Sequence, residues 1–249
     1  MDQAEGTTRL SALIPVYNEV DTLEKIIVLL EQVPVVRQII VVDDGSTDDT
    51  PAVLRRLAEA GRVVAHFHHR NQGKGSALRD ALRLADEDYL VIQDADLEYD
   101  PRDLQTMAAV IQRTGAQVVY GSRFKGGKRT GMLWSHYLGN RLLTQAFNVL
   151  YRQRLTDMET CYKLFRKDLL VRLGIDNDRF DIDPELTAKV VRAGQRIVEV
   201  PVSYAGRPYL AGKKIRPNDA FTALRTLWQY RHWQPKHANQ AVDTAFAGE

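Results

Sequence analysis

The sequence is poor in cysteine and has no long apolar run. One cysteine, Cys161, stands among 249 residues, which excludes an internal disulfide and indicates a reducing compartment. No segment approaches the roughly 20 apolar residues that span a bilayer, and the polar N-terminus has no apolar stretch typical of a signal peptide. Lys and Arg (34) nearly balance Asp and Glu (32), so the charge indicates no nucleic-acid partner. These absences predict a cytoplasmic protein, and they leave open a peripheral contact with the inner face of a membrane.

The first half of the sequence alternates short apolar runs with amphipathic patterns. The runs are rich in Val and Ile and predict buried strands at residues 10–16, 38–42, 63–67, 89–93 and 117–120. Helical periodicity lies between them, at residues 20–31, 51–60, 76–85 and 101–113. This alternation predicts an α/β fold with a Rossmann-like, mostly parallel sheet and helices on both faces. Such sheets bind ligands at the carboxyl ends of their strands.

The second half is less regular but contains no linker that would divide two domains. Its pattern predicts helices at residues 132–151, 184–192 and 219–230 and a strand at 196–202. We therefore predict a single domain at residues 9–233, with a first half at 9–122 and a second at 123–233. Residues 1–8 are expected to be a flexible N-terminus and residues 234–249 a loose C-terminal tail.

Polar clusters follow four of the predicted strands. They read PVYNE at residues 15–19, DDGSTDDT at 43–50, HHRNQGKG at 68–75 and QDADLEYDP at 93–101. Because these strands are predicted to be parallel, the clusters would meet at one edge of the sheet. Four clusters at one edge exceed what turns and helix caps require, so they predict a binding site.

Asp94 and Asp96 are the strongest candidates for metal ligands. In an extended chain, residues two apart project to one side, so these carboxylates would converge and Glu98 could join them. Without a neighbouring Lys or Arg the carboxylates would repel one another. Mg²⁺ or Mn²⁺ would remove this repulsion, because hard divalent cations take oxygen ligands and share them with phosphates. Helix capping is the alternative role for these acids. Asp100 before Pro101 already fits the cap of the next helix, so capping does not explain Asp94 and Asp96.

Two further clusters suit a nucleotide. Asp43 and Asp44 can accept hydrogen bonds from a base or a ribose. Lys74 stands between two glycines before a predicted helix, a place that suits a diphosphate. These glycines fit neither a P-loop nor the dinucleotide-binding Gly-x-Gly-x-x-Gly pattern. No pair of histidines or cysteines has the spacing of a zinc site, and surface positions are expected for His66, His68 and His69.

Four linked motifs resemble those of the inverting, nucleotide-sugar-dependent glycosyltransferases with the GT-A fold: PVYNE, DDGSTD, RNQGKG and DAD. Later segments are similar to the polyprenyl-phosphate sugar synthases of the dolichyl-phosphate mannose synthase type: GSR at 121–123, TDMETCYKLFR, DIDPELTAK, VEVPVSYAGR and GKKI. The resemblance covers almost the whole chain. This sequence lacks the C-terminal transmembrane helices of membrane-bound relatives, which weakens the lipid-acceptor expectation and leaves the donor side untouched.

The resemblance implies metal-dependent transfer of mannose or glucose from a GDP- or UDP-sugar to a polyprenyl or dolichyl phosphate. The first half would bind the donor and the metal, and the second half the acceptor. By position, the nucleotide would be bound by Pro15, Tyr17, Glu19, Asp43, Asp44, Lys74 and Asp94. The metal would be held by Asp94, Asp96 and Glu98. The acceptor phosphate would contact Arg123, Arg207, Lys213 and Lys214.

The class of acceptor decides whether a general base is needed. A sugar leaving a diphosphate develops negative charge, which a metal ion and cationic side chains stabilise. A phosphate acceptor is already largely anionic at neutral pH, whereas a hydroxyl acceptor needs a base. Asp183 is a candidate base, but its position before Pro184 also fits a helix N-cap. The candidate catalytic residues are Asp96, Arg123, Asp183 and Glu185, and the candidates for orienting the acceptor are Asp157 and Glu159.

Two other functions stay open at this point. A soluble glycosyltransferase acting on a hydroxyl of a small molecule, polysaccharide or protein would suit a chain without an anchor. A non-catalytic nucleotide-binding protein would have less need of a metal, so Asp94 and Asp96 argue against it. The predicted helix at 132–151 mixes Trp134 and Leu142 with Arg141. It is expected either to pack in the core or to lie at a membrane interface or over a lipid tail.

Overall fold

The computed structural model describes residues 8–126, 129–179, 181–207 and 217–235, with the backbone alone at 217–219. Its first half alternates strands and helices, and each element predicted there is confirmed with bounds shifted by up to three residues. The elements are β1 (Leu10–Val16), α1 (Leu23–Glu31), β2 (Val36–Asp43), α2 (Thr50–Glu59), β3 (Val64–Phe67), α3 (Lys74–Leu84), β4 (Tyr89–Ile92), α4 (Asp103–Thr114) and β5 (Val118–Ser122).

The second half adds elements that the sequence pattern predicted only in part. They are β6 (Arg129–Thr130), α5 (Trp134–Tyr151), β7 (Lys163–Arg166), α6 (Lys167–Leu173), α7 (Ile182–Arg192), β8 (Val198–Pro201), β9 (Tyr204–Ala205) and α8 (Pro217–Tyr230). The predictions of α5, α7, β8 and α8 are confirmed. The strands β6, β7 and β9 and the helix α6 were not predicted, because each is too short to show a period.

Seven strands form one sheet in the order β3-β2-β1-β4-β7-β5-β8. All neighbouring pairs are parallel except those of β7, which runs antiparallel to β4 and β5. The predicted α/β class with a mostly parallel sheet is confirmed. Because β7 runs the other way, the residues that precede it lie beside the carboxyl ends of β4 and β5. Chain from the second half thereby reaches the predicted binding edge.

Aliphatic side chains cover the sheet and form the core. In β1 and β2, Leu13, Ile14, Val41 and Val42 are fully buried, and each contributes roughly 1.5–3 kcal/mol by leaving water. The helix α1 buries Leu23, Ile26, Ile27 and Leu30, the spacing of one helical face. A smaller cluster joins α5, α7 and α8 through Phe147, Leu155, Met158, Ala188, Leu227 and Tyr230. In the described part of the chain, no helix is long and apolar enough to cross a membrane.

Two predicted helix caps are wrong in position. The helix α7 begins at Ile182, so Asp183 lies in its first turn and Asp181 takes the N-cap place. Asp183 is therefore not the helix cap, and its carboxylate pairs with Lys163. Asp100 stands before the start of α4 and accepts the backbone N–H of Arg102 at 3.0 Å, which closes the turn that leads into the helix.

Candidate active site

The loops after β1 and β2 are joined into one rim at the carboxyl edge of the sheet. Asn18, at a φ of 55°, donates its backbone N–H to the Ser46 hydroxyl at 2.9 Å and accepts the Thr47 N–H at 2.8 Å. Asp43 ends β2 and accepts the Ser46 N–H at 3.2 Å. Tyr17 projects from this rim with 44% of its surface exposed. Two predicted nucleotide-binding residues, Tyr17 and Asp43, therefore lie on one fixed frame.

The Asp44 carboxylate is fully used in hydrogen bonds that fix the loop before α3. It accepts the backbone N–H groups of Gln72 at 2.8 Å and Gly73 at 2.7 Å. It also lies 2.7 Å from Nδ1 of His68. His68 is buried, so its predicted surface position is wrong. Because both Asp44 oxygens already have partners, Asp43 is the better placed of the two aspartates for a nucleotide.

The glycines on either side of Lys74 admit a second loop and not a phosphate. The Gly75 N–H donates to the carbonyl oxygen of Asp178 at 2.8 Å, and a Cβ on Gly75 would overlap the carbonyl oxygen of Asn177. Gly73 has a φ of 104° and lies equally close to Asp178. Backbone from residues 177–178 thus covers the start of α3. The N–H groups of Gly73 and Gly75 already have partners within the protein, so the Lys74 ammonium is the group of this loop that remains a candidate for a diphosphate.

The Lys74 side chain reaches past this loop to the ends of the strands. Its Nζ donates to Oδ1 of Asp94 at 2.7 Å. Burial lowers the pKa of Lys74, but Asp94, followed by Cys161 and Asp183, outweighs burial and holds that pKa well above its usual value. Lys74 is therefore cationic. The expectation that Asp94 has no cationic neighbour is wrong, because the fold brings a lysine beside it from 20 residues away.

Residues 94–98 form a turn and not the extended segment that was predicted. Leu97 has a φ of 62°, and Asp96 accepts the Glu98 N–H at 3.1 Å. The ligand atoms of Asp94, Asp96 and Glu98 do not all come within 4.8 Å of one another. Burial, and then the carboxylates of Asp94 and Glu98, raises the pKa of Asp96 to about 7. A divalent cation fits this desolvated group, because the cation would supply the missing positive charge.

Arg207 joins the second half of the chain to the aspartate turn. Its Nη2 donates to Oε2 of Glu19 at 2.7 Å, and its Nε donates to the carbonyl oxygen of Asp96 at 2.9 Å. Glu98 accepts the Arg207 N–H at 3.1 Å and the Tyr204 hydroxyl at 2.8 Å. Glu98 thus anchors β9 with both oxygens, which leaves Asp94 and Asp96 as the better metal candidates. The predicted acceptor residues Lys213 and Lys214 lie outside the described residues.

Arg123 forms a buried pair with Asp157. Its Nε and Nη2 donate to the two carboxylate oxygens at 2.8 and 2.7 Å, and its backbone N–H donates to Oδ2 at 2.9 Å. Burial lowers the pKa of Arg123, but Asp157 outweighs burial and leaves the pKa well above its usual value. The guanidinium also lies over the ring of Tyr204, 5.5 Å from its centroid. The fold thereby fixes the direction of Arg123 next to Tyr204 of β9, the strand that precedes Arg207.

Glu185, a predicted catalytic residue, is not brought into this site. It is fully buried and accepts the Lys189 ammonium at 2.6 Å. The backbone N–H groups of Asp176 and Asn177 donate to it at 2.7 and 2.8 Å. Burial raises the pKa of Glu185, although Lys189 acts against that shift. Glu185 therefore holds in place the loop that covers the start of α3.

Asp183 and Glu159 lie near each other in the second half of the chain, since the charge of Asp183 acts on Glu159. The Nζ of Lys163, fully buried at the start of β7, donates to Asp183 and to the Thr160 carbonyl oxygen. Burial, and then the charge of Asp183, raises the pKa of Glu159 to about 7. The Oε1 atom of Glu159 is buried without a hydrogen-bond partner, which is uncommon in a folded protein.

Sequence reasoning missed Lys163 and undervalued Glu159. The sequence signal for Lys163 is its place beside the apolar residues Leu164 and Phe165. A lysine in such a run is expected to be buried, and a buried lysine needs an acidic partner. Glu159 carried no comparable signal, because its surroundings come from β7, α7 and the loop after β5.

Comparison with known proteins places this site in a family. Residues 11–174 match the model of glycosyl transferase family 2. Glycosyltransferase AglD of Haloferax volcanii is 26% identical over an alignment of 231 residues, and the match covers 88% of this chain and 37% of AglD. The chain also spans 63% of a second glycosyltransferase of that organism, AglJ. The chain therefore spans less than two thirds of the length of these relatives.

Another relative and a solved structure match over most of their lengths. Polyprenol monophosphomannose synthase of Mycolicibacterium smegmatis is 27% identical over an alignment of 226 residues, and the match covers 84% of each protein. Glucosyl-3-phosphoglycerate synthase of Mycobacterium tuberculosis, solved with Mn²⁺, uridine diphosphate and phosphoglyceric acid, superposes with a TM-score of 0.67. It is 21% identical and the match covers 92% of this chain and 80% of that one. At this identity the likeness establishes the shared fold.

Proposed function

The chain belongs to glycosyl transferase family 2, and on that premise we propose that it transfers mannose or glucose from a GDP- or UDP-sugar to a polyprenyl phosphate. One observation carries the proposal: a line of charged groups, in which Lys74 pairs with Asp94, the carboxylates of Asp94 and Asp96 interact by charge, and Arg207 links the Asp96 carbonyl oxygen to Glu19. This line joins the two halves of the domain. The same fixed charged side chains would therefore stabilise the leaving diphosphate and position the incoming acceptor.

The donor nucleotide is proposed to lie on the rim formed by the loops after β1 and β2. The exposed ring of Tyr17 is open to stack on a base, and the buried Asp43 on the same rim would accept hydrogen bonds from the nucleotide. Pro15 and Glu19 frame the same rim. The Lys74 ammonium, fixed by Asp94, supplies a positive charge next to the diphosphate. Asp44 would act indirectly, by holding the loop that carries Lys74.

Mg²⁺ or Mn²⁺ is the proposed cofactor, held chiefly by Asp96 with Asp94 alongside. When bound, such an ion neutralises the charge that develops on the leaving diphosphate. The raised pKa of Asp96 supports this assignment, because burial and two neighbouring carboxylates outweigh the positive charge of Arg207. Arg207 donates to the Asp96 carbonyl oxygen and is always cationic, so it fixes the turn and adds positive charge there.

The acceptor phosphate is proposed to meet Arg123 and Arg207, with Lys213 and Lys214 as further candidates. A phosphate monoester is already largely anionic at neutral pH and needs no base to become a nucleophile. Cationic side chains would hold and orient it. Asp157 fixes the Arg123 guanidinium through two hydrogen bonds, so little ordering remains when the acceptor binds. The similarity to a polyprenol monophosphomannose synthase over 84% of each chain supports this acceptor class.

An apolar face on α5 and α8 supports contact with a lipid surface. Between the two helices runs a groove of about 540 Å³, lined mainly by Leu142, Val149, Leu150, Leu224, Leu227 and Trp228. The helix α5 carries no Asp or Glu, and exposed Arg141 and Arg225 lie on the same two helices. Apolar side chains together with arginines suit the interface of a membrane with anionic head groups. We propose that this face rests on the membrane that carries the acceptor.

The test is a transfer assay with defined donors and acceptor. Purified protein is incubated with GDP-mannose or UDP-glucose, Mn²⁺ and a short polyprenyl phosphate, and the lipid fraction is analysed for sugar. We expect a lipid-linked sugar with one of the donors and none with Asp96→Asn. Absence of a lipid product with either donor, from protein that binds nucleotide, would rule out this acceptor.

One observation favours a second function, transfer to a hydroxyl acceptor. The buried, unpartnered Oε1 of Glu159 and a pKa of about 7 suit a proton acceptor at neutral pH. Of the candidate catalytic carboxylates from the sequence, Asp183 is paired with Lys163 and Glu185 with Lys189. Phosphoglyceric acid, bound in the solved relative, is the acceptor to try. Product formed from it, and lost in Glu159→Gln, would favour this function over the first.

A further inference from the structure

A group of metal-ligating side chains lies outside the site described above. His66 in β3, His68 just after β3 and Asp80 in α3 each offer a ligand atom, and these atoms lie within 4.8 Å of one another. Side chains two apart on a strand point to one side, and Asp80 completes the group from the following helix. From this geometry we infer a binding site for Zn²⁺ or a similar transition-metal ion.

The donor atoms select the class of metal. Two imidazole nitrogens and one carboxylate oxygen form a set that suits Zn²⁺, with a fourth position for water. His66 is exposed, which gives an ion and its water a path from solvent. The carboxylates of the proposed active site are all oxygen donors and suit Mg²⁺ or Mn²⁺. The two sites therefore prefer different metals.

The surroundings of His68 match those of a metal ligand. Its Nδ1 lies 2.7 Å from Oδ1 of Asp44, and its Nε2 lies 2.8 Å from Oδ2 of Asp80. A carboxylate on one imidazole nitrogen orients the other toward a metal. A proton or a cation must lie between Nε2 and the Asp80 oxygen, because two lone pairs repel. Arg83 binds the other Asp80 oxygen, so it orients the carboxylate and also adds a positive charge that a bound ion must overcome.

The site has a direct connection to the loop that carries Lys74. Asp44, the partner of His68, also accepts the N–H groups of Gln72 and Gly73. An ion bound by His66, His68 and Asp80 would fasten the end of β3 to α3 and brace this loop. The three ligands are close together only in the folded chain. Zn²⁺ would therefore bind the folded state more tightly than the unfolded state and stabilise the fold.

Calorimetric titration with Zn²⁺ in a large excess of Mg²⁺ tests the inference. The wild-type protein is compared with His66→Ala, which removes an exposed ligand, and with His69→Ala, a neighbouring exposed histidine that lies outside the group. Asp96→Asn is included so that failure of the proposed active site does not affect the result. Absorption of Co²⁺ in the visible range reports the coordination independently.

We expect one Zn²⁺ per chain in the wild type, in His69→Ala and in Asp96→Asn with the same affinity. His66→Ala should bind about tenfold more weakly or worse, and its Co²⁺ spectrum should change. Equal affinity in His66→Ala and wild type would overturn the inference, as would the absence of Zn²⁺ binding in the wild type. Loss of binding in Asp96→Asn alone would place the ion at the aspartate turn and also overturn it.

Discussion

At the scale of single residues, the charge of Asp96 is poorly balanced in the candidate active site. Burial and two neighbouring carboxylates raise its pKa, while Arg207 acts in the opposite direction without cancelling them. Lys74 gives its ammonium to Asp94 and not to Asp96. A protein that keeps such a carboxylate uncompensated gains from a bound cation, which is why Asp96 carries the metal proposal.

Asp96→Asn should abolish the metal dependence of nucleotide binding, because the amide keeps the shape and removes the charge. In thermal-shift measurements with GDP and UDP, Mn²⁺ should increase the stabilisation of the wild type by nucleotide and leave the variant unchanged. Transfer should fall by about a thousandfold. The matched control Asp100→Asn, four positions along the same segment, should behave as the wild type. An equal response to Mn²⁺ in Asp96→Asn would contradict the metal assignment.

Glu159→Gln should make the stability less dependent on pH. The folded-state pKa of about 7 lies above the ordinary value of 4.5, so the folded protein binds this proton more tightly than the unfolded chain. The stability of the wild type therefore falls as the pH rises from about 4.5 to 7, by roughly 3 kcal/mol for this group. Urea unfolding should show the variant more stable than the wild type near about pH 8, with that difference reduced near about pH 5. A difference that is the same at both pH values would refute the shift.

At the scale of elements, the start of α3 depends on a loop from the other half of the chain. Asp176 and Asn177 donate their backbone N–H groups to Glu185 of α7, and the carbonyl oxygen of Asp178 accepts the Gly75 N–H at the start of α3. Lys189 pairs with Glu185 and with Asp176, so one buried ammonium holds both the helix and the loop. The position of Lys74 thus depends on α7 as well as on its own loop. Loss of either partner of the buried pair would leave an uncompensated charge inside the protein.

Gly75→Ala should destabilise the protein, because its Cβ would overlap the carbonyl oxygen of Asn177 and displace that loop. We expect a loss of about 1–3 kcal/mol and weaker binding of nucleotide through displacement of Lys74. Gly139→Ala is the matched control, since Gly139 lies inside α5 with no atom within 4 Å of its Cβ position. It should gain about 0.5–1 kcal/mol from helix propensity. Denaturant unfolding with nucleotide titration checks both, and unchanged stability in Gly75→Ala would contradict the close contact.

At the scale of the whole molecule, charge and apolar surface are separated. The charged line runs along the carboxyl edge of the sheet, and the apolar groove lies between α5 and α8. On that face Leu142, Val149 and Trp228 expose 62%, 72% and 57% of their surfaces. Exposed apolar patches of this kind mark binding surfaces on proteins. The small cluster beneath the groove packs the two helices together without using these side chains.

Replacing Leu142, Val149 and Trp228 together by serine should abolish binding to lipid vesicles without unfolding the protein, because all three are exposed. In flotation experiments, the wild type should rise with anionic vesicles at low salt and less with neutral ones. A triple serine substitution at the exposed Val28, Leu29 and Val171 serves as the control and should leave flotation unchanged. Wild-type protein that stays at the bottom with anionic vesicles would exclude the proposed membrane face.

The sequence by itself determined the fold class and the edge of the sheet where the site lies. Long apolar runs such as the one in β1 and the amphipathic spacing of α1 carry their own periods, and the order of parallel strands sets where PVYNE, DDGSTD and DAD must come together. Asp96 could therefore be named in advance. The short antiparallel β7 could not, because four residues show no period and its partners lie far along the chain.

Only the tertiary structure decided which charges meet. Lys74 reaches Asp94, Arg207 reaches Glu19, and His68 lies between Asp44 and Asp80. The fold also binds Glu98 to Tyr204 of β9 and Glu185 to Lys189 of α7. It leaves one oxygen of Glu159 without a hydrogen-bond partner. The physical reason is that the state of a carboxylate or an imidazole depends on burial and on charges a few ångströms away. Those neighbours come from distant parts of the chain, which local sequence patterns do not encode.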